Sequence, residues 1–155
     1  MPDQVLDPGA QPGSNQSVIY EKETKLNERT ERGIAVYAET FGVSADELPD
    51  LFSDRVGSRF AGEAILAAGG PAWSDPSLDD RSRSVTILTA LICEGVRGAR
   101  LTTHLERAVR VGLDQPALEV LTVLLSLYVG QARTSVAAEE IRHFFQQRSP
   151  KTTAR

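Results

Sequence analysis

Apolar residues recur along this chain at intervals of three and four, and no stretch alternates with period two, so the pattern predicts helices and no sheet. Over residues 20–41, Ile34, Val36, Tyr37 and Phe41 form an apolar stripe and Gly42 supplies a stop, while the first half is polar enough to lie on a surface. Ser44 with Glu47 three residues on reads as a capping box. Behind it Leu48, Leu51, Phe52, Val56, Phe60 and Ile65 continue at helical spacing as one segment, with Pro49 in its first turn. The breakers from Gly69 to Pro76 predict a loop. Three more helical patterns follow, over 78–94, 99–111 and 115–147, the last of which Gly130 can interrupt. Gly95, Gly98 and Gly112 punctuate them, Asp114 is a good cap for the third, and the short connections make them antiparallel neighbours.

Residues 118–129 are apolar on every side except at Glu119, Thr122 and Ser126. A helix that is hydrophobic all round is expected to be covered all round. Pattern alone leaves open whether the cover is the domain's own core, a central hairpin or another subunit.

Composition narrows the class. A chain of 155 residues fits one domain, which at this size removes roughly 70% of the unfolded chain's surface from water. With 41% hydrophobic and 25% charged residues a folded core is expected, and the 6% aromatic content further disfavours sheet. Residues 1–19 hold Pro2, Pro8, Pro12, Gly9 and Gly13 among polar side chains and predict a flexible tail; residues 148–155 read likewise, leaving a helical domain over 20–147. A net charge of −4 argues against a nucleic-acid partner, which needs clustered basic residues. No run has membrane-spanning length and no leader pattern opens the chain, so the expected location is cytoplasmic, with no membrane contact. The single cysteine, Cys93, excludes a disulfide or a two-thiol redox pair within one chain.

His104 shares a helical face with Leu101, Leu105 and Ala108, which aims an imidazole at the apolar side of its helix. Such a group is either a hydrogen-bonded core histidine or a general acid–base residue suited to neutral pH. His143, beside Phe144 and Phe145, reads as a surface or packing residue, and Cys93 as a small buried thiol. Two histidines and one cysteine at these spacings form no metal site. Arg83 and Arg97 flank the helix over 78–94 and read either as solvated charges or as forks for an organic carboxylate.

The order Trp73, Leu78-Asp-Asp-Arg-Ser-Arg83-Ser-Val85, Arg97, His104-Leu105, Gly112-Leu113 and Tyr128-Val-Gly130, with an earlier Arg32-Gly-Ile-Ala-Val-Tyr37 stretch, resembles the carboxymuconolactone decarboxylases, relatives of the alkylhydroperoxidase D proteins. The likeness runs over roughly residues 30–145. It implies an all-α bundle of about five to seven helices, a homo-oligomer (trimer or hexamer) built through apolar helices, and cofactor-free chemistry on a small organic acid or lactone. By the same likeness His104 would be the acid–base residue, Arg83 and Arg97 would meet the substrate's acid group, and Trp73 and Tyr128 would occupy the family's aromatic positions.

The chain also departs from that pattern. Where peroxidase relatives carry Cys-x-x-Cys this sequence reads Val129-Gly-Gln-Ala132-Arg-Thr-Ser-Val136, without a thiol, so peroxidase chemistry through that motif is excluded. Val120, Leu124 and Ala132 stand where decarboxylases usually have an acid, a Gln or His, and a proline. That points away from carboxymuconolactone itself and toward a larger, less polar substrate, with Arg133 beside these positions as either a surface charge or a further contact for it. Two functions follow as expectations: a lyase or isomerase moving a proton through His104 on a small unsaturated acid, lactone or polyketide-like ring, or a non-catalytic oligomeric ligand-binding or assembly protein on the same scaffold.

Overall fold

A computed structural model describes residues 13–148, and every regular element in them is helical. In chain order these are α1 (Gly13–Phe41), α2 (Leu48–Val56), α3 (Ser58–Ala68), α4 (Pro71–Ser74), α5 (Asp80–Cys93), α6 (Ala99–Arg110), α7 (Gln115–Val129) and α8 (Gln131–Arg148). The all-helical class is as the spacing predicts, and the eight helices among the described residues, one of them the four-residue α4, roughly fit the expected five to seven. None is long and apolar enough to cross a membrane. Of the expected tails, residues 1–12 and 149–155 lie outside the described residues, whereas 13–19 belong to α1.

Helix α1 starts earlier than its apolar stripe because local pairing contributes where burial does not. Lys25 meets Glu21 at 2.6 Å and Arg32 meets Glu28 at 3.8 Å, both one turn apart on the exposed surface. Such pairs each add a few tenths of a kcal/mol to a helix. The segment expected to run unbroken from Leu48 to Ile65 instead breaks at Gly57, whose φ of 88° takes the chain out of the helical region between α2 and α3. Ser44 and Glu47 bond reciprocally, the Ser44 N–H and hydroxyl donating to Glu47 Oε2 and the Glu47 N–H donating back to Ser44 Oγ, but they close the turn before α2, whose N-cap is Glu47 rather than Ser44.

The chain divides into two compact units, residues 13–39 with 43–74 and residues 40–42 with 75–148. In the first, Ala38 of α1, Leu48 and Phe52 of α2, and Ala61, Ile65 and Ala68 of α3 are buried, with the Tyr37 ring 4.6 Å from that of Phe52. Helix α1 meets the end of α3 backbone to backbone. A β-carbon at Gly33 would overlap the Ile65 carbonyl oxygen, and one at Gly69 would overlap that of Arg29. Arg29 Nε donates to the Leu66 carbonyl at 2.7 Å and Arg32 Nε to that of Gly69 at 3.2 Å, satisfying acceptors that the end of α3 leaves open.

The second unit is built from α5 to α8. Leu88, Leu101, Leu105, Ala108, Leu113, Leu118, Ile141 and Phe144 form one core, and Ile92, Leu125 and Ala137 a smaller one. Asp79 and Asp114 cap α5 and α7 by accepting from the Ser82 N–H at 2.8 Å and the Ala117 N–H at 3.0 Å. Within one chain α7 is not covered all round. Its buried face carries Leu118, Thr122 and Leu125, with the Thr122 hydroxyl satisfied by the Glu119 carbonyl at 2.7 Å, while Val120, Val123, Leu124, Leu127 and Tyr128 face outward.

Candidate functional site

His104 lies on α6 at the margin of the face that Leu101, Leu105 and Ala108 bury, and is itself half-buried. Among the described residues its imidazole has no hydrogen-bond or ion-pair partner. Burial holds its pKa below the ordinary 6.5, and the cationic Arg107 one turn along α6 pushes in the same direction. The ring is therefore neutral at neutral pH, the form that accepts a proton.

Arg107 has no part in the sequence reading, yet it is buried and its Nη1 donates to the Thr40 hydroxyl at 3.3 Å. The signal available in the sequence is its spacing, three residues after His104 and next to the buried Ala108.

A depressed histidine pKa also makes stability depend on pH. The unfolded chain binds a proton near pH 6.5 and the folded chain only at lower pH, so what neutral His104 contributes is present above 6.5 and lost as pH falls through and below it. Thermal melts of the wild type and of His104→Gln between pH 7.5 and 5 check this: the wild type should lose more stability over that range. Equal losses would show that His104 titrates normally.

The remaining candidates are placed differently from one another. Arg83 is buried; its guanidinium donates to Asp80 Oδ1 at 3.1 Å and to the Asp75 carbonyl, so a substrate carboxylate would have to displace bonds that hold the segment before α5. Trp73 sits in the short α4, in the first compact unit, and is half-buried. Tyr128 projects from the outward face of α7.

Arg97 and Arg133 are the pair brought together. They line a hollow of about 320 Å³ with Ile92, Gly95, Val96, Ala132, Val136 and Ala137. Arg133 reaches the hollow from α8 and donates to the Cys93 carbonyl at the end of α5, where the helix leaves acceptors unsatisfied. Arg97 follows α5, is exposed, and has no partner among the described residues. Two guanidinium groups on otherwise apolar walls suit a carboxylate with a hydrocarbon body. His104 is not part of this lining.

The three positions that depart from the decarboxylase pattern fall in two places. Ala132 lines the Arg97–Arg133 hollow. Val120 and Leu124 line a second, apolar groove of about 490 Å³ between α5 and α7, with Arg81, Val85, Leu113, Pro116, Ala117, Leu118 and Leu121. His143 is exposed on α8, its Nε2 2.7 Å from Gln147 Nε2, and Cys93 is half-buried. The described residues hold no group of three or more His, Cys, Asp or Glu placed to bind a metal ion. No family model, curated protein or solved structure matches this chain.

Proposed function

We propose that this chain is a cofactor-free lyase or isomerase of the carboxymuconolactone decarboxylase type, working as a homo-oligomer and moving a proton through His104 on a small unsaturated acid, lactone or polyketide-like ring. One observation carries the reading: a half-buried imidazole, kept neutral, with no partner among the described residues. Being only half-buried, the ring keeps part of its surface open, where a ligand can meet it. Neutral His104 would take a proton from a carbon next to a carbonyl, leaving the bonding electrons in an enolate, and the imidazolium would return the proton to another carbon. A depressed pKa favours this order, base before acid, and so favours isomerisation over protonation after loss of CO₂.

A second reading has its own support. The hollow that holds Arg97 and Arg133 contains no acid–base side chain in its lining, which fits a protein that binds an organic anion without transforming it. One panel of carboxylated lactones and β-keto acids separates the two. The enzyme reading expects turnover by the wild type that His104→Gln loses. The binding reading expects no turnover, calorimetric binding unaffected by His104→Gln, and a drop of about 10- to 100-fold in affinity for Arg97→Ala, the loss expected for a charge-assisted contact.

A further inference from the structure

The outward face of α7 is the largest feature that neither reading uses. Val120, Val123, Leu124, Leu127 and Tyr128 follow one another at the i, i+3, i+4, i+7 and i+8 positions of a single helix face. They are 67, 65, 50, 78 and 80% exposed, an order reversed from the ordinary one in which such a stripe faces inward and polar residues face out. Together these exposures leave several hundred Å² of mostly apolar surface on one helix face, comparable to the roughly 300–600 Å² of a monomer's largest patch and a large share of the roughly 800 Å² per partner that a stable interface takes. No charged residue interrupts α7 between Glu119 and Arg133, and depletion of charge is the compositional mark of an interface centre.

The face has a shape as well as a character. Its C-terminal end presents two large protruding side chains, Leu127 and Tyr128, while its N-terminal end forms one wall of the 490 Å³ groove lined by Pro116, Ala117, Val120, Leu121 and Leu124. Knob and groove therefore sit at opposite ends of one stripe. A second copy laid antiparallel, with the two-fold axis at Leu124, sets Leu127 opposite the partner copy's position 121 and Tyr128 opposite its position 120. Each copy's knob then meets the other's groove, and both are filled by one symmetric contact. The antiparallel sense also opposes the two helix dipoles. Arg81, exposed at the groove rim, stands where a guanidinium can stack on the incoming tyrosine ring.

We infer that the occupant of this face is a second copy of the same chain, joined through an antiparallel α7–α7 pair centred on Leu124. The inference rests on the proposed self-assembly and deepens it by naming the surface and the symmetry; it does not depend on proton transfer by His104. It requires an even number of chains, two, or six as three pairs.

The full chain, weighed by light scattering at tens of micromolar, tests it in three arms. The wild type should show an even assembly, and Leu124→Glu, which sets two like charges against each other at the axis, should halve a dimer or split a hexamer into trimers. Phe60→Glu, an exposed apolar residue on α3, should leave the mass unchanged. In a Cys93→Ser background Leu124→Cys should form a disulfide-linked dimer under mild oxidation, and Val120→Cys mixed with Tyr128→Cys should cross-link to each other. This arm decides the matter if Leu124→Glu fails to fold. A monomeric wild type overturns both the assembly and the pairing. An odd assembly, or an even one indifferent to Leu124→Glu and without these cross-links, leaves self-assembly standing and overturns the α7 pair.

Discussion

Replacing His104 by glutamine is expected to lower turnover by about 10²–10⁴-fold, the range that a positioned general base contributes, while the chain keeps its fold and its assembly mass. Glutamine preserves a hydrogen-bonding side chain of similar reach but cannot take a proton from carbon. The effect should fall on kcat more than on KM, since in the proposed reaction the imidazole would act on the reacting carbon rather than on the substrate's acid group. The pH profile carries a second signature. Burial and Arg107 both depress the His104 pKa, so the acid limb of kcat/KM should lie below the ordinary 6.5. An acid limb at or above 6.5, or a glutamine variant as fast as the wild type, would assign the proton transfer to another group.

A large structural effect is expected at Gly33. A β-carbon there would overlap the Ile65 carbonyl oxygen, an atom of the main chain that no rotamer change can move aside, so α1 and α3 would have to separate. Gly33→Ala should therefore destabilise the protein by about 2–3 kcal/mol and lower Tm by roughly 5–10 °C. Gly62→Ala, on the same α3 but with open space at the new β-carbon, should do the reverse, raising stability by about 0.5–1 kcal/mol through its helix preference. Paired thermal melts read both. Similar shifts for the two variants would mean that the close approach at Gly33 relaxes at little cost.

What the sequence made legible was local. The reciprocal bonds of Ser44 with Glu47 and the Asp114 cap depend on residues close together in the chain, and both form; of the successive helices after Asp75, α5 packs on α6 and α7 on α8, while α6 and α7 barely meet although their connection is short. The missed break at Gly57 shows where this stops. The apolar spacing runs on through Phe60 to Ile65, but Phe60 is exposed while Ile65 is buried, so the period crossed a glycine without marking where the helix breaks. The reason for Gly33 was equally hidden, because it lies in a carbonyl 32 residues away.

The same limit applies to the candidate site. Arg83 and Arg97 look alike in sequence; one is buried and bonded to Asp80 and Asp75, the other is exposed in a hollow shared with Arg133, a residue from a different helix. Helix α7 is the clearest case. Its composition required cover on every side, and the spacing could not say by what; a single chain covers the side of Leu118, Thr122 and Leu125 and leaves the other open.

The central claim is that His104 moves a proton to and from carbon, and exchange with solvent reads that step without requiring that the product be known. The wild type in D₂O, with β-keto acids and carboxylated lactones followed by proton NMR, should replace a carbon-bound hydrogen next to the carbonyl in at least one of them faster than the protein-free background, more so above pH 6.5 than below, and His104→Gln should exchange no faster than that background. If no compound in the panel exchanges above the background, or if the glutamine variant exchanges as fast as the wild type, His104 is not the proton-transfer group.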